Sequence, residues 1–223
     1  MHVQNDYVIS TNSRTQKQIT LIGVIIGLSW VAVSLWFNLS GRDSQVNDLA
    51  LGPYDNSKSI LLVQLITYSF IHELYSHLIF QLIVLAFLVW IARESLSPAD
   101  FIRLYSLGSI CGGLVFLLAC SLFEQQTRVI GSGMALMAML GALAILKPKR
   151  EVTLLLFFVL PIRTRLIWIA VFFIGASLLQ LQTEPSLALS MVSGSIVGIM
   201  YAFVERFRYR YGMKRKTALP TKF

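Results

Sequence analysis

Apolar and polar positions in this chain come in long blocks rather than in short alternations. Six blocks approach or reach the roughly 20 residues that a helix needs to cross a bilayer core. They run from Ile19 to Leu39, Leu74 to Ala92, Phe101 to Phe123, Ile130 to Leu146, Leu166 to Leu181 and Leu187 to Val204. Backbone that is neither helix nor closed barrel is not stable against lipid, so the pattern predicts an all-α, polytopic bundle of six transmembrane helices. The chain divides accordingly into a polar segment 1–18, a membrane domain 19–204 and a basic tail 205–223. The first apolar block lacks a small-residue cleavage site, so no cleavable signal is expected.

Two stretches depart from this pattern. Residues 40–73 form a connection too long to be idle, and Ile60-Leu61-Leu62-Val63 with Leu65-Ile66 give it apolar character. Such a loop is expected to lie in the headgroup region. Val152 to Val159 is apolar but too short to span; bracketed by cations and stopped by Pro161, it is expected along the cytoplasmic interface.

Composition sharpens the class. Of 223 residues, 56% are apolar and 13% charged, against about 45–50% and about 25% in soluble domains. The mean hydropathy is +0.68. A soluble enzyme, a disordered chain and a secreted disulfide scaffold do not fit these values. Cys111 and Cys120 are nine residues apart in one apolar block, about 13 Å along a helix, so they read as buried thiols rather than a disulfide.

The net charge of +8 matters through its placement. With both termini in the cytoplasm, sixteen of the nineteen Lys and Arg lie inside, and only Arg42, Lys58 and Arg128 lie outside. The positive-inside rule therefore orients six spans with both ends cytoplasmic, in a cell or inner membrane. Arg206-Phe207-Arg208-Tyr209-Arg210-Tyr211 and Lys214-Arg215-Lys216 interleave cations with aromatics. Directly after a span, that pattern reads as an anchor on anionic lipid and not as a nucleic-acid surface.

Polar side chains within the apolar blocks are the candidates for chemistry. His72, Glu73, His77 and Gln81 open the second block, and His77 and Gln81 share a helix face at a spacing of four. The fourth block begins Gly131-Ser132-Gly133, and small residues recur at Gly131, Ala135, Ala138 and Ala142, which marks a closely packed, central helix. Gly194 and Gly198 in the last block form a Gly-x-x-x-Gly. The chain has three histidines, His2, His72 and His77. A Ser–His dyad between the fourth and last blocks is therefore impossible. Neither a metal nor another cofactor is expected.

Taken together, these residues resemble the rhomboid family of intramembrane serine proteases over roughly residues 60–205. The resemblance begins in Gln64 to His72, continues in His77-Leu78-Ile79-Phe80-Gln81 and in Val129-Ile130-Gly131-Ser132-Gly133-Met134, and takes in Gly141. Phe157 to Pro161 and Ser190 to Gly198 extend it. It implies that His77 is the oxyanion-stabilising histidine, with Gln81 where the family has Asn. Anchored on Gly131 and Gly141, it puts Gly133 at the nucleophile and Met191 at the base. Ser132 falls on a variable position. His72, His77, Gln81 and Ser132 would form a polar pocket, and Gly131, Gly141, Gly194 and Gly198 would serve helix packing.

The reading that follows is a rhomboid-like pseudoprotease that binds transmembrane segments of other membrane proteins without cleaving them. The alternative is an active protease with an atypical site around Ser132 and His77. A small transporter or channel is a third class, disfavoured because the last four blocks carry no ionisable residue near their centres.

Overall fold

The apolar blocks fold as helices because their only stable backbone pairing in lipid is internal. The computed structural model describes residues 12–40, 49–53, 61–72, 74–156 and 160–217. Its helices are α1 (Ser13–Ser40), α2 (Leu61–Thr67), α3 (Tyr75–Ala92), α4 (Pro98–Leu122), α5 (Gly133–Leu146), α6 (Leu166–Leu179) and α7 (Pro185–Thr217). Single 3-10 turns at Tyr68–Phe70 and Gln180–Gln182 follow α2 and α6.

Four of these helices, α1, α3, α4 and α7, are long and apolar enough to cross a membrane. The other two blocks give shorter helices. α5 and α6 have 14 residues each, about 21 Å of rise against a hydrocarbon core of about 30 Å. The fourth block loses its first residues to non-helical backbone. Val129 pairs with Leu51 in an isolated antiparallel bridge, and Gly131 turns the chain at a φ of 98°. Apolar composition marks residues 130–132 as membrane-embedded without saying that they are extended.

The expectation of an all-α chain is corrected by one hairpin. β1 (Glu151–Leu156) pairs antiparallel with β2 (Leu160–Arg165), with Glu151 opposite Arg165 and Leu155 opposite Pro161. Eight apolar residues cannot span, and Pro161 has no N–H with which to continue a helix. Pairing the strands satisfies their backbone groups instead. Residues 157–159, part of the expected interfacial run, lie outside the described residues, as do 41–48, 54–60 and Glu73 of the long external loop.

Local signals place the helix ends. Ser97 caps α4 by accepting from the Asp100 N–H at 3.2 Å, and Pro98 occupies the first turn. Gln125 caps α7 in the same sense, its Oε1 accepting from the Ser186 N–H at 3.2 Å and from the Ser186 hydroxyl at 2.5 Å.

The core is built on α5, almost all of whose residues are buried. It lies against α7 with backbones in contact. A Cβ on Gly194 would stand 2.5 Å from the Met134 carbonyl oxygen, and one on Gly141 would stand 2.6 Å from that of Ser195. A Cβ on Gly198 would run into the Ala138 carbonyl oxygen. On the opposite flank, Gly112 of α4 leaves room for the Met134 side chain.

Polar contacts fasten one end of the bundle. The Tyr201 hydroxyl donates to Asp100 at 2.6 Å, and Arg150 pairs with Glu94 at 2.7 Å while lying over the Trp90 ring. Arg206 donates to the Ile145 carbonyl. Ends of α3, α4 and α5 thus meet the Tyr201–Arg206 stretch of α7 there.

Gly198→Ala is expected to lower the thermal midpoint of the detergent-solubilised protein, at a cost of about 1–3 kcal/mol for overpacking. Gly175→Ala, where a Cβ meets nothing within 4 Å, should leave it unchanged or slightly raised. Equal midpoints for the two variants would contradict the backbone contact.

Candidate functional site

The helical period of α3 brings His77 and Gln81 onto one face, and the non-helical stretch before α5 brings Ser132 against it. Gln81 is the hub. Its Oε1 accepts from the Ser132 backbone N–H at 2.7 Å and from the Ser132 hydroxyl. His72 Nε2 lies 3.0 Å from the same oxygen. Gln81, His72 and Ser132 are all buried, and His77 is half-buried.

The backbone N–H of Ser132 can only donate, which fixes the carbonyl end of the Gln81 amide toward it. The amide nitrogen then faces His77 Nε2 as a donor. His77 therefore accepts at Nε2, and its proton sits on Nδ1. His72 must donate at Nε2, which leaves Nδ1 as the bare nitrogen of a neutral ring. Burial pushes the His72 imidazole below its ordinary pKa, in keeping with that neutral form. The His72 ring also packs 5.1 Å from Trp30 and 5.5 Å from His77, centroid to centroid.

Gly131 holds the cluster together. Its N–H donates to the Tyr68 carbonyl at 2.8 Å, and its positive φ is one that side-chain-bearing residues rarely adopt. A Cβ there would also stand 2.8 Å from both Gln81 Nε2 and His77 Cε1.

One residue further on, the chain faces a different neighbour. A Cβ on Gly133 would meet the Met191 methyl group, with Met191 Sδ at 3.1 Å. The positions to which the resemblance assigns a nucleophile and a base are thus in contact across α5 and α7. They hold a glycine hydrogen and a thioether.

This arrangement limits the chemistry of each group. A serine becomes a nucleophile when a base takes its proton. The Ser132 hydroxyl donates to an amide oxygen, which is not such a base, and the His77 Nε2 lone pair is already engaged by Gln81. Met191 offers only a weak acceptor. Among the described residues no three His, Cys, Asp or Glu are grouped so as to hold a metal ion. Cys111 and Cys120 are free thiols on α4.

His72, His77, Gln81, Gly131 and Ser132 thus form one cluster, and Gly133 and Met191 form a second contact beside it. Gly194 continues the α5–α7 seam from that second contact, against the Met134 carbonyl, and Gly141 and Gly198 line it further along. Sequence reasoning places Tyr68 only in the segment before α3, and Trp30 only as a packing or interface anchor, and links neither to this cluster. The Tyr68 hydroxyl lies 2.7 Å from the Ser109 carbonyl and 3.2 Å from Met134 Sδ, tying the loop before α3 to α4 and α5. Its signal was a phenol between two hydroxyl residues, Thr67 and Ser69, four residues before His72. Trp30 carried no comparable signal, since its partner is 42 residues away.

Gln81→Leu should destabilise the protein by about 1–3 kcal/mol, because the Ser132 N–H and the His72 N–H lose their acceptor in a buried site. Ser132→Ala keeps the backbone bond and should cost only about 0.5–1.5 kcal/mol. Unfolding midpoints in detergent read both. A Q81L midpoint no lower than that of S132A would contradict the hub.

No curated protein matches the chain by sequence. The family model of the Rhomboid domain matches residues 61–208, more than half of the chain and including both contacts just described. With four helices apolar and long enough to cross a membrane, the chain belongs to the rhomboid family as an integral, multi-pass membrane protein.

Proposed function

We propose that this protein is a pseudoprotease: a rhomboid-family protein that binds transmembrane segments of other membrane proteins and does not cleave them. The observation that carries the reading is the contact between Gly133 and Met191. The fold brings these two positions together, where a membrane serine protease needs a nucleophile and a base, and neither residue can act as one. Around them the close helix packing and the His77–Gln81 cluster are kept.

Six membrane segments with both termini cytoplasmic complete the reading. α5 and α6 are short, but each is apolar along its length, and α5 starts below the bridge between Leu51 and Val129. The helix ends joined through Glu94, Asp100, Ile145 and Arg206 carry most of the described cations nearby, which supports a cytoplasmic face. The client surface is assigned to α6, where Trp168, Val171 and Phe172 are exposed and only Leu166, Ile169, Ala170 and Ser177 are buried.

An active protease built on Ser132 and His77 has one observation in its favour, since both side chains meet at Gln81. Against it, the amide stands between the hydroxyl and the imidazole, and Ser132 is 0% exposed.

The test is a reconstitution of the full chain in liposomes with a single-span reporter protein. A photo-crosslinker at Phe172 should capture the uncut reporter, one at Leu118 on α4 should not, and no cleavage fragment should form. A fragment that appears with the wild type and disappears with Ser132→Ala would overturn the reading. Equal capture at both positions would remove the client surface from α6.

A further inference from the structure

The imidazole of His72 faces two ways. Its Nε2 is engaged at Gln81. Its Nδ1, bare in the tautomer that Gln81 imposes, is buried and meets no hydrogen-bond donor of the protein. The Phe70 carbonyl interacts with the ring, but an acceptor cannot serve a bare nitrogen. The ring packs at 44° to that of Trp30 on α1, whose indole N–H is equally buried and has no acceptor in hydrogen-bonding geometry. Trp30 is 0% exposed and His72 2%, so neither group is served from outside the fold. Polar groups left in that condition are costly, most of all in a protein surrounded by lipid.

Tyr105 of α4 borders the same place. Its ring lies 6.5 Å from the Trp30 ring, tilted by 32°, and its hydroxyl faces the indole without closing a hydrogen bond to it. That hydroxyl reaches the Ser69 carbonyl only at 3.5 Å, beyond the roughly 2.5–3.0 Å of an ordinary O–H···O bond. Rings tilted against one another cannot close face to face, so their edges border a wedge. Around it stand a nitrogen that only donates, a nitrogen that only accepts, a hydroxyl and a carbonyl.

That set selects its occupant. The indole N–H repels a cation, and the bare imidazole nitrogen and the carbonyl repel an anion. A small molecule that both donates and accepts satisfies all of them. We propose that a single buried water sits between α1 and α4, accepting from Trp30 Nε1 and the Tyr105 hydroxyl and donating to His72 Nδ1 and the Ser69 carbonyl. Buried waters make about three such bonds, to polar groups that the fold otherwise leaves unpaired. The water joins α1, which lies outside the residues of the family match, to His72 and through it to Gln81. The site rests on the tautomers that Gln81 sets and is independent of whether the protein cleaves anything.

The test uses the full chain in detergent, labelled with 15N-tryptophan, and reads magnetisation transfer from water to the four indole N–H groups. The Trp30 signal is the one lost in Trp30→Phe. It should show a cross-peak to water, with the sign given by a molecule held for longer than the micelle takes to tumble. Tyr105→Phe removes the hydroxyl whose exchange would imitate that cross-peak and leaves the water its other partners, so the cross-peak should persist. A wild-type Trp30 indole without the cross-peak would overturn the proposal, as would a cross-peak lost in Tyr105→Phe. A crystal structure of the wild type that resolves waters needs no variant. Density bridging Trp30 Nε1 and His72 Nδ1 is expected there, and a direct hydrogen bond between those two nitrogens would contradict the water.

Discussion

Backbone contact between α5 and α7 is the constraint on which the rest of the structure depends. In lipid there is no hydrophobic drive to pull helices together, so close association rests on small residues that let main chains touch. Gly141, Gly194 and Gly198 supply that contact. It sets the distance between the two helices, and the distance in turn sets what stands at Gly133 and Met191. A serine side chain at 133 would have to displace the Met191 methyl. Glycine and methionine are therefore complementary as a pair, one making the space that the other fills.

The polar cluster depends on the same constraint from the other side. α5 is short because residues 129–132 are not helical, and that irregular backbone needs partners of its own. Tyr68 accepts from Gly131, and Gln81 accepts from Ser132. Buried main-chain donors left unpaired would cost about 1–3 kcal/mol each. Gln81 thus has a structural duty apart from any chemistry, and its amide sets the tautomers of both histidines. What looks like a remnant of catalytic machinery also holds the N-terminus of α5 in place.

Much of this was legible in the sequence, for physical reasons that differ by element. Long apolar blocks announce membrane helices, and the recurrence of Gly131, Ala135, Ala138 and Ala142 announces a helix stripped of bulk. The spacing of His77 and Gln81 is enough to put them on one helix face. The hairpin at Glu151–Arg165 was not legible as such, because a short apolar run has no period that separates an interfacial helix from a strand. Nor was the late start of α5, since Ile130 and Gly131 look the same to a hydropathy pattern whether helical or extended. Tyr68 and Trp30 act through partners 41 and 42 residues away, beyond the reach of local spacing.

The central claim is that the fold retains a protease frame without a competent nucleophile. Treating the full chain in liposomes with a serine-reactive phosphonate, followed by mass spectrometry of the peptide containing Ser132, tests it most directly. The account predicts an unmodified Ser132 at reagent concentrations that label an active rhomboid protease treated in parallel. Stoichiometric phosphonylation of Ser132, lost in His77→Ala, would contradict it.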